Sequence, residues 1–115
     1  MFIADAKRLT SAGAEKIMAS AIAKAQEAGV AVSVAIVDAG GHVLLLKRME
    51  GGRFHTVHSA TTKAVCAASN RRQTGAKGAL GQALDTNHAL GLALAAGPER
   101  WTAMEGGSPV IVEGE

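Results

Sequence analysis

The sequence has no tyrosine and a single cysteine, Cys66, in 115 residues. A lone thiol cannot close an internal disulfide, so the fold must hold by packing alone. The missing phenol removes one common general acid from the candidates. No run of about 18 apolar residues occurs, so nothing reads as a membrane-spanning helix. Nothing after "MFIADAKRLT" pairs a charged start with an apolar signal core, and the expected address is the cytoplasm. Charge of one sign is also lacking: twelve Lys and Arg stand against ten Asp and Glu, for a net +2. The basic residues are dispersed, so neither nucleic acid nor a membrane surface is indicated as a partner.

Small residues are what the chain has in excess. Twenty-four alanines and fourteen glycines stand beside two phenylalanines and one tryptophan. Small side chains let elements approach closely, yet each buries little apolar area at about 25 cal/mol per Å². So thin a core gains from a subunit interface, and a homo-oligomer is expected, a dimer or higher and as large as an octamer. The length fits a single domain over 1–115.

Glycines punctuate the chain into short elements. From about Asp5 to Ala28, residues Leu9, Gly13, Ile17, Ala21, Ala25 and Ala28 fall on one helical stripe, and Gly29 suits the stop. "VAVSVAIVD", the turn "DAGG" and "HVLLLKRM" form an antiparallel hairpin pattern. "EGGRF" leads to a helix from about Thr56 to Ser69. "NRRQTGAKG" reads as a flexible surface loop, and about Leu80 to Ala96 as a third helix ended by Gly97 and Pro98. "RWTAM" and "SPVIVEGE", around Gly106 and Gly107, suggest the first strand of a second hairpin and part of the next.

"VAVSVAIVDAGGHVLLLKRMEGG", the helix with "ATTKAVCAAS", and "LAAGPERWTAMEGGSPVIVEGE" together resemble the GlcG/HbpS family, which includes haem-binding proteins and the C-terminal domain of PduO-type proteins. The signature is "VDAGGHVL" followed by "RMEGG", with "GGSPVIVEGE" as an independent match. The resemblance implies a layered α/β (α+β), profilin-like fold, with an antiparallel sheet of about five strands flanked by helices. Family members usually continue with a glycine-rich strand and a final helix. This sequence stops at Glu115, so either it is a shortened version or a tail lies beyond that residue; a missing last strand would leave a sheet edge to be covered, with a partner subunit as one candidate.

The stretch "GGRFHTVHSATTKAVC" carries the candidate site. His55 and His58 are three apart, about 60° around a helix, and can face one ligand. Cys66 lies about 12 Å further along the rise, too far to join a small metal site. A structural zinc centre needs four close ligands, and local spacing supplies two, with His88 or Asp85 as speculative additions. Haem, implied by the resemblance, asks for one axial imidazole and cations for its propionates. His55 or His58 would supply the first; Arg48, Arg53 and Lys63 are candidates for the second. The plainer reading keeps both histidines as half-exposed helix-start residues satisfied by water or backbone. Lys63 matches a recurrent "KA" pair of the family, as an anion clamp or as a solvated lysine. Cys66 reads as a small core residue, Asp38 as a turn cap, His42 as exposed, and Trp101 as an anchor for the last segment or a subunit contact. Lys77, Arg71 and Arg72 with a helix N-terminus form an anion-site pattern, but the glycines match no nucleotide loop.

Three functions follow. The first is a small-ligand binder for haem (tetrapyrrole), linked in the family to haem degradation. The second is an accessory enzyme or binder for a small organic acid or carbonyl compound from a catabolic operon, using Arg53, Lys63 and a histidine. The third is a structural assembly subunit without a ligand.

Overall fold

In the computed structural model the described residues are 2–78 and 80–112. Five elements follow in the order α1 (Ser11–Ala28), β1 (Ser33–Val37), β2 (Val43–Arg48), α2 (Thr56–Asn70) and α3 (Thr86–Ala96).

Helix α1 starts later than the apolar stripe suggests. Thr10 is extended, and its hydroxyl accepts the Gly13 N–H at 3.0 Å. That bond satisfies a donor the helix would otherwise leave open, and it fixes the boundary six residues into the stripe. Gly29 closes the other end at φ 71°, a conformation that favours glycine, and its N–H reaches the carbonyls of Ala25 and Gln26.

Strands β1 and β2 pair antiparallel in the register Ser33 to Arg48 and Ile36 to Leu45, with an irregularity between Ile36 and Val37. Asp38 organises the turn between them. Its Oδ1 accepts N–H bonds from Gly40 at 2.9 Å and His42 at 3.0 Å, as the turn-cap reading expects. These bonds, the His42 N–H foremost and the His42 ring among them, hold the Asp38 carboxyl below its ordinary range, against a smaller raising effect of desolvation. His42 is exposed.

Side chains alternate across the sheet, so Val34, Ile36, Leu45 and Lys47 share one face and Ser33, Ala35, Leu46 and Arg48 the other. α1 meets the first face, where Met18, Ala19 and Ile22 line a shallow groove with Leu45 and Lys47. α2 takes the second, and the Ser33 and Thr56 hydroxyls meet there at 2.7 Å. α2 covers β1 more than β2, and Leu46 keeps 42% of its surface in water.

Beyond α2 the core is small. Cys66, Ala89 and Trp101 are buried together, with Leu84, Leu92 and Ala96 packed around them. α3 begins at Thr86 rather than near Leu80, because Gly81 turns the chain at φ 80° and Asp85 caps the helix by accepting the His88 N–H at 2.7 Å. Its outer surface is apolar: Leu90 and Leu94 are 57% and 72% exposed.

The second hairpin does not form among the described residues. Residues 101–112 carry no strand, and Val110, Ile111 and Val112 are exposed. A strand needs a neighbour to take its N–H and C=O groups, and Pro109 donates none. Trp101 is the anchor here, at 6% exposure against the α2 and α3 residues of the core. The fold is nevertheless α+β, with helices on both faces of an antiparallel pair.

Candidate functional site

The candidate residues gather around the turn that feeds α2. Gly51, at φ 86°, reverses the chain after β2, and the Gly52 N–H closes the turn onto the Met49 carbonyl at 2.9 Å. Gly52 has no space for a side chain: a Cβ would sit 2.9 Å from the Met49 oxygen and 3.1 Å from Arg48 Cγ. The glycine therefore lets the Arg48 side chain lie along the loop that carries Arg53. The Arg53 carbonyl in turn accepts both the Thr56 N–H at 3.1 Å and the Thr56 hydroxyl at 2.6 Å. Thr56, tied also to Ser33, fixes the direction in which α2 departs.

His55 occupies the N-cap position of α2 without a side-chain capping bond. Its carbonyl receives the N–H groups of His58 and Ser59 at 3.2 and 3.3 Å, so the first turn is tight. The rings of His55 and Phe54 meet edge to face, with centroids 6.1 Å apart and planes at 85°. Phe54 keeps 81% of its surface in water. His55, His58, Arg53 and Arg48 are all exposed. Neither the groove beside α1 nor the cavity at the far end of α2 is lined by a histidine.

Lys63 stands apart from the histidines. It lies eight residues beyond His55, about 12 Å of helix rise. Half-buried, it runs beside the loop at Gly106, where a Cβ would come within 3.5 Å of Lys63 Cδ and 3.6 Å of its Nζ. Arg48, Arg53, His55 and His58 thus share one end of α2, and Lys63 belongs to its middle.

The remaining candidates have structural posts. Cys66 is 1% exposed; its thiol donates to the Thr102 carbonyl and accepts from the Asn70 amide, each at 3.7 Å. Asp85 and His88 are engaged at the cap of α3. Among the described residues no group of three or more His, Cys, Asp or Glu is placed to hold a metal ion. No described helix is long and apolar enough to cross a membrane.

Phe54 was the residue that sequence patterns missed. Its signal was present, since it is one of only two phenylalanines and directly precedes a histidine. An aromatic left largely in water within a glycine-rich loop has no packing reason to be there.

Helices on both faces of an antiparallel pair define a small α+β fold, and one solved relative shares it. The crystal structure of Klebsiella pneumoniae protein ORFY matches all of this chain and 77% of its own at a TM-score of 0.84 and 30% identity. The chain belongs to the family described as haem degrading protein HbpS-like, whose model matches residues 9–115. Protein GlcG of Escherichia coli strain K12 is 34% identical over 102 residues, which span 89% of this chain and 71% of the relative. The same-named protein of E. coli O6:H1 matches equally.

Proposed function

We propose that the entry to α2 binds haem, with His55 or His58 as the axial imidazole and Arg53 and Arg48 as partners for the propionates. One observation carries this reading. Two imidazoles with no hydrogen-bond partner among the described residues stand at an exposed helix start, and the ring of one of them meets the exposed ring of Phe54 edge to face. The donor set suits the group: imidazole for iron, an aromatic ring for the macrocycle and guanidinium forks for carboxylates. Lys63 is the more distant cation. The family description, haem degrading protein HbpS-like, supports the same ligand.

Bound tetrapyrrole iron would supply the redox chemistry of haem breakdown. The chain itself would position the ring and neutralise its carboxylates. Exclusion of water requires a second surface, because one copy of the site is open. A homo-oligomer provides it, and the thin core together with exposed Phe54, Leu90 and Leu94 supports assembly. We take the chain as one domain, and the cytoplasm as its address.

Titration of the purified protein with haemin should give a saturable Soret shift that is lost in the His55→Ala, His58→Ala double variant. Single variants identify the axial residue. A wild-type titration with no saturable change retires the haem reading, and a shift untouched by the double variant moves the site elsewhere.

A further inference from the structure

One flank of α1 is an unfinished packing surface. Glu15, Met18, Ala19, Ile22, Ala23 and Gln26 recur at three- and four-residue spacing, so they share that flank over about 16 Å of helix rise. With Leu45 and Lys47 of β2 they line the shallow groove on the first face of the sheet. Glu15, Ala19, Ala23 and Gln26 are exposed, and Met18, Ile22 and Leu45 are only half-buried. The neighbouring side of α1 differs in kind: Lys16, Ser20, Lys24 and Glu27 are all exposed, with Lys24 and Glu27 paired at 4.0 Å. That side suits water, and the groove side does not. A groove so open would leave most of a small ligand in solvent, which favours a protein surface as its occupant.

The flank is complementary to itself. When a copy of α1 is laid antiparallel across the groove, about a two-fold axis level with Ser20 and Ala21, residues equidistant from that axis come opposite each other. Glu15 then faces Gln26 of the second copy, and Gln26 faces its Glu15. On the half-buried side, nearer the sheet, Met18 meets Ile22; on the exposed side Ala19 meets Ala23. The carboxamide can donate to the carboxylate, the large side chains fill the groove, and the methyl groups let the helix axes approach closely. Charge agrees with this. A two-fold contact sets every patch against its own kind, so a face of one sign would repel itself, whereas this groove carries both Glu15 and Lys47.

We propose that this flank of α1 is a two-fold contact between copies of this chain, with the two α1 helices packed antiparallel. The inference does not rest on the haem reading, because α1 and the entry to α2 stand on opposite faces of the sheet.

The test is sedimentation equilibrium of the full chain, with variants chosen for this register. Wild type should form a dimer, or a larger assembly built from dimers. Ala19→Arg, a change at an exposed position, should at least halve the mass while circular dichroism matches wild type. Gln26→Glu sets carboxylate against carboxylate and should raise the dissociation constant about tenfold. Adding Glu15→Lys to it should restore association, since an ammonium then faces the new carboxylate of the second copy. Residues 15 and 26 lie about 16 Å apart in one helix, beyond the reach of a screened pair, so the rescue has no path within a single chain. The His55→Ala, His58→Ala double variant should associate as wild type does, which keeps the failure of this contact distinct from the failure of haem binding. A wild-type chain that is monomeric at every concentration overturns the proposal. So does an unchanged mass for Ala19→Arg, normal association of Gln26→Glu, or a Gln26→Glu defect that Glu15→Lys leaves in place.

Discussion

The two ends of α2 contrast in every physical respect. The first turn presents His55 and His58 to water beside an exposed Phe54, and no side chain caps it. The last turns are buried: Cys66 and Ala67 are each 1% exposed, the thiol is bonded, and Trp101 closes the core beside it. One helix therefore leaves its start open to water and packs its later turns into the core. The difference teaches that a single helix can hold the core with one stretch while leaving another open to solvent.

Substitutions should reproduce that asymmetry. The largest effect is expected at the buried end, where Trp101→Ala removes the ring that Cys66 and Ala89 pack against. A loss of about 3–5 kcal/mol should appear in the urea midpoint. Next comes Gly107→Ala, which forces a methyl against the Lys63 carbonyl and should lose about 1–3 kcal/mol. A Gly107→Ala protein as stable as wild type would show that the loop can retreat from α2. The smallest effect belongs to the exposed end. His55→Ala with His58→Ala should leave stability within about 0.5 kcal/mol of wild type by the same measurement. A larger loss would make these histidines structural and erase the contrast.

Legibility in the sequence follows the range of the forces. α2 is expected over Thr56 to Ser69 and runs Thr56–Asn70, and the hairpin around "DAGG" is found where β-branched runs flank turn residues. These depend on neighbours in sequence. The helix starts were misplaced because single capping side chains, Thr10 and Asp85, overrule an apolar stripe that extends past them. The last segment failed for another reason: "SPVIV" has strand composition, but composition supplies no neighbour to pair with.

The candidate site was legible in part. His55, His58 and Arg53 follow one another along the chain, and their common end of α2 could be read directly. Lys63 belongs to the same segment but stands two turns away, a separation that helix rise already implies. The loop "NRRQTGAKG" was read as flexible because it is polar and rich in glycine. Its bracing comes from Gly107, more than thirty residues away, through contacts that only the folded chain brings together.

The burial of Cys66 offers a built-in clock for the motions of this molecule. A thiol at 1% exposure reacts with an alkylating reagent only when its surroundings part. With no second cysteine in the chain to confuse the signal, the labelling rate reports how often the interior between α2, α3 and the Trp101 segment opens.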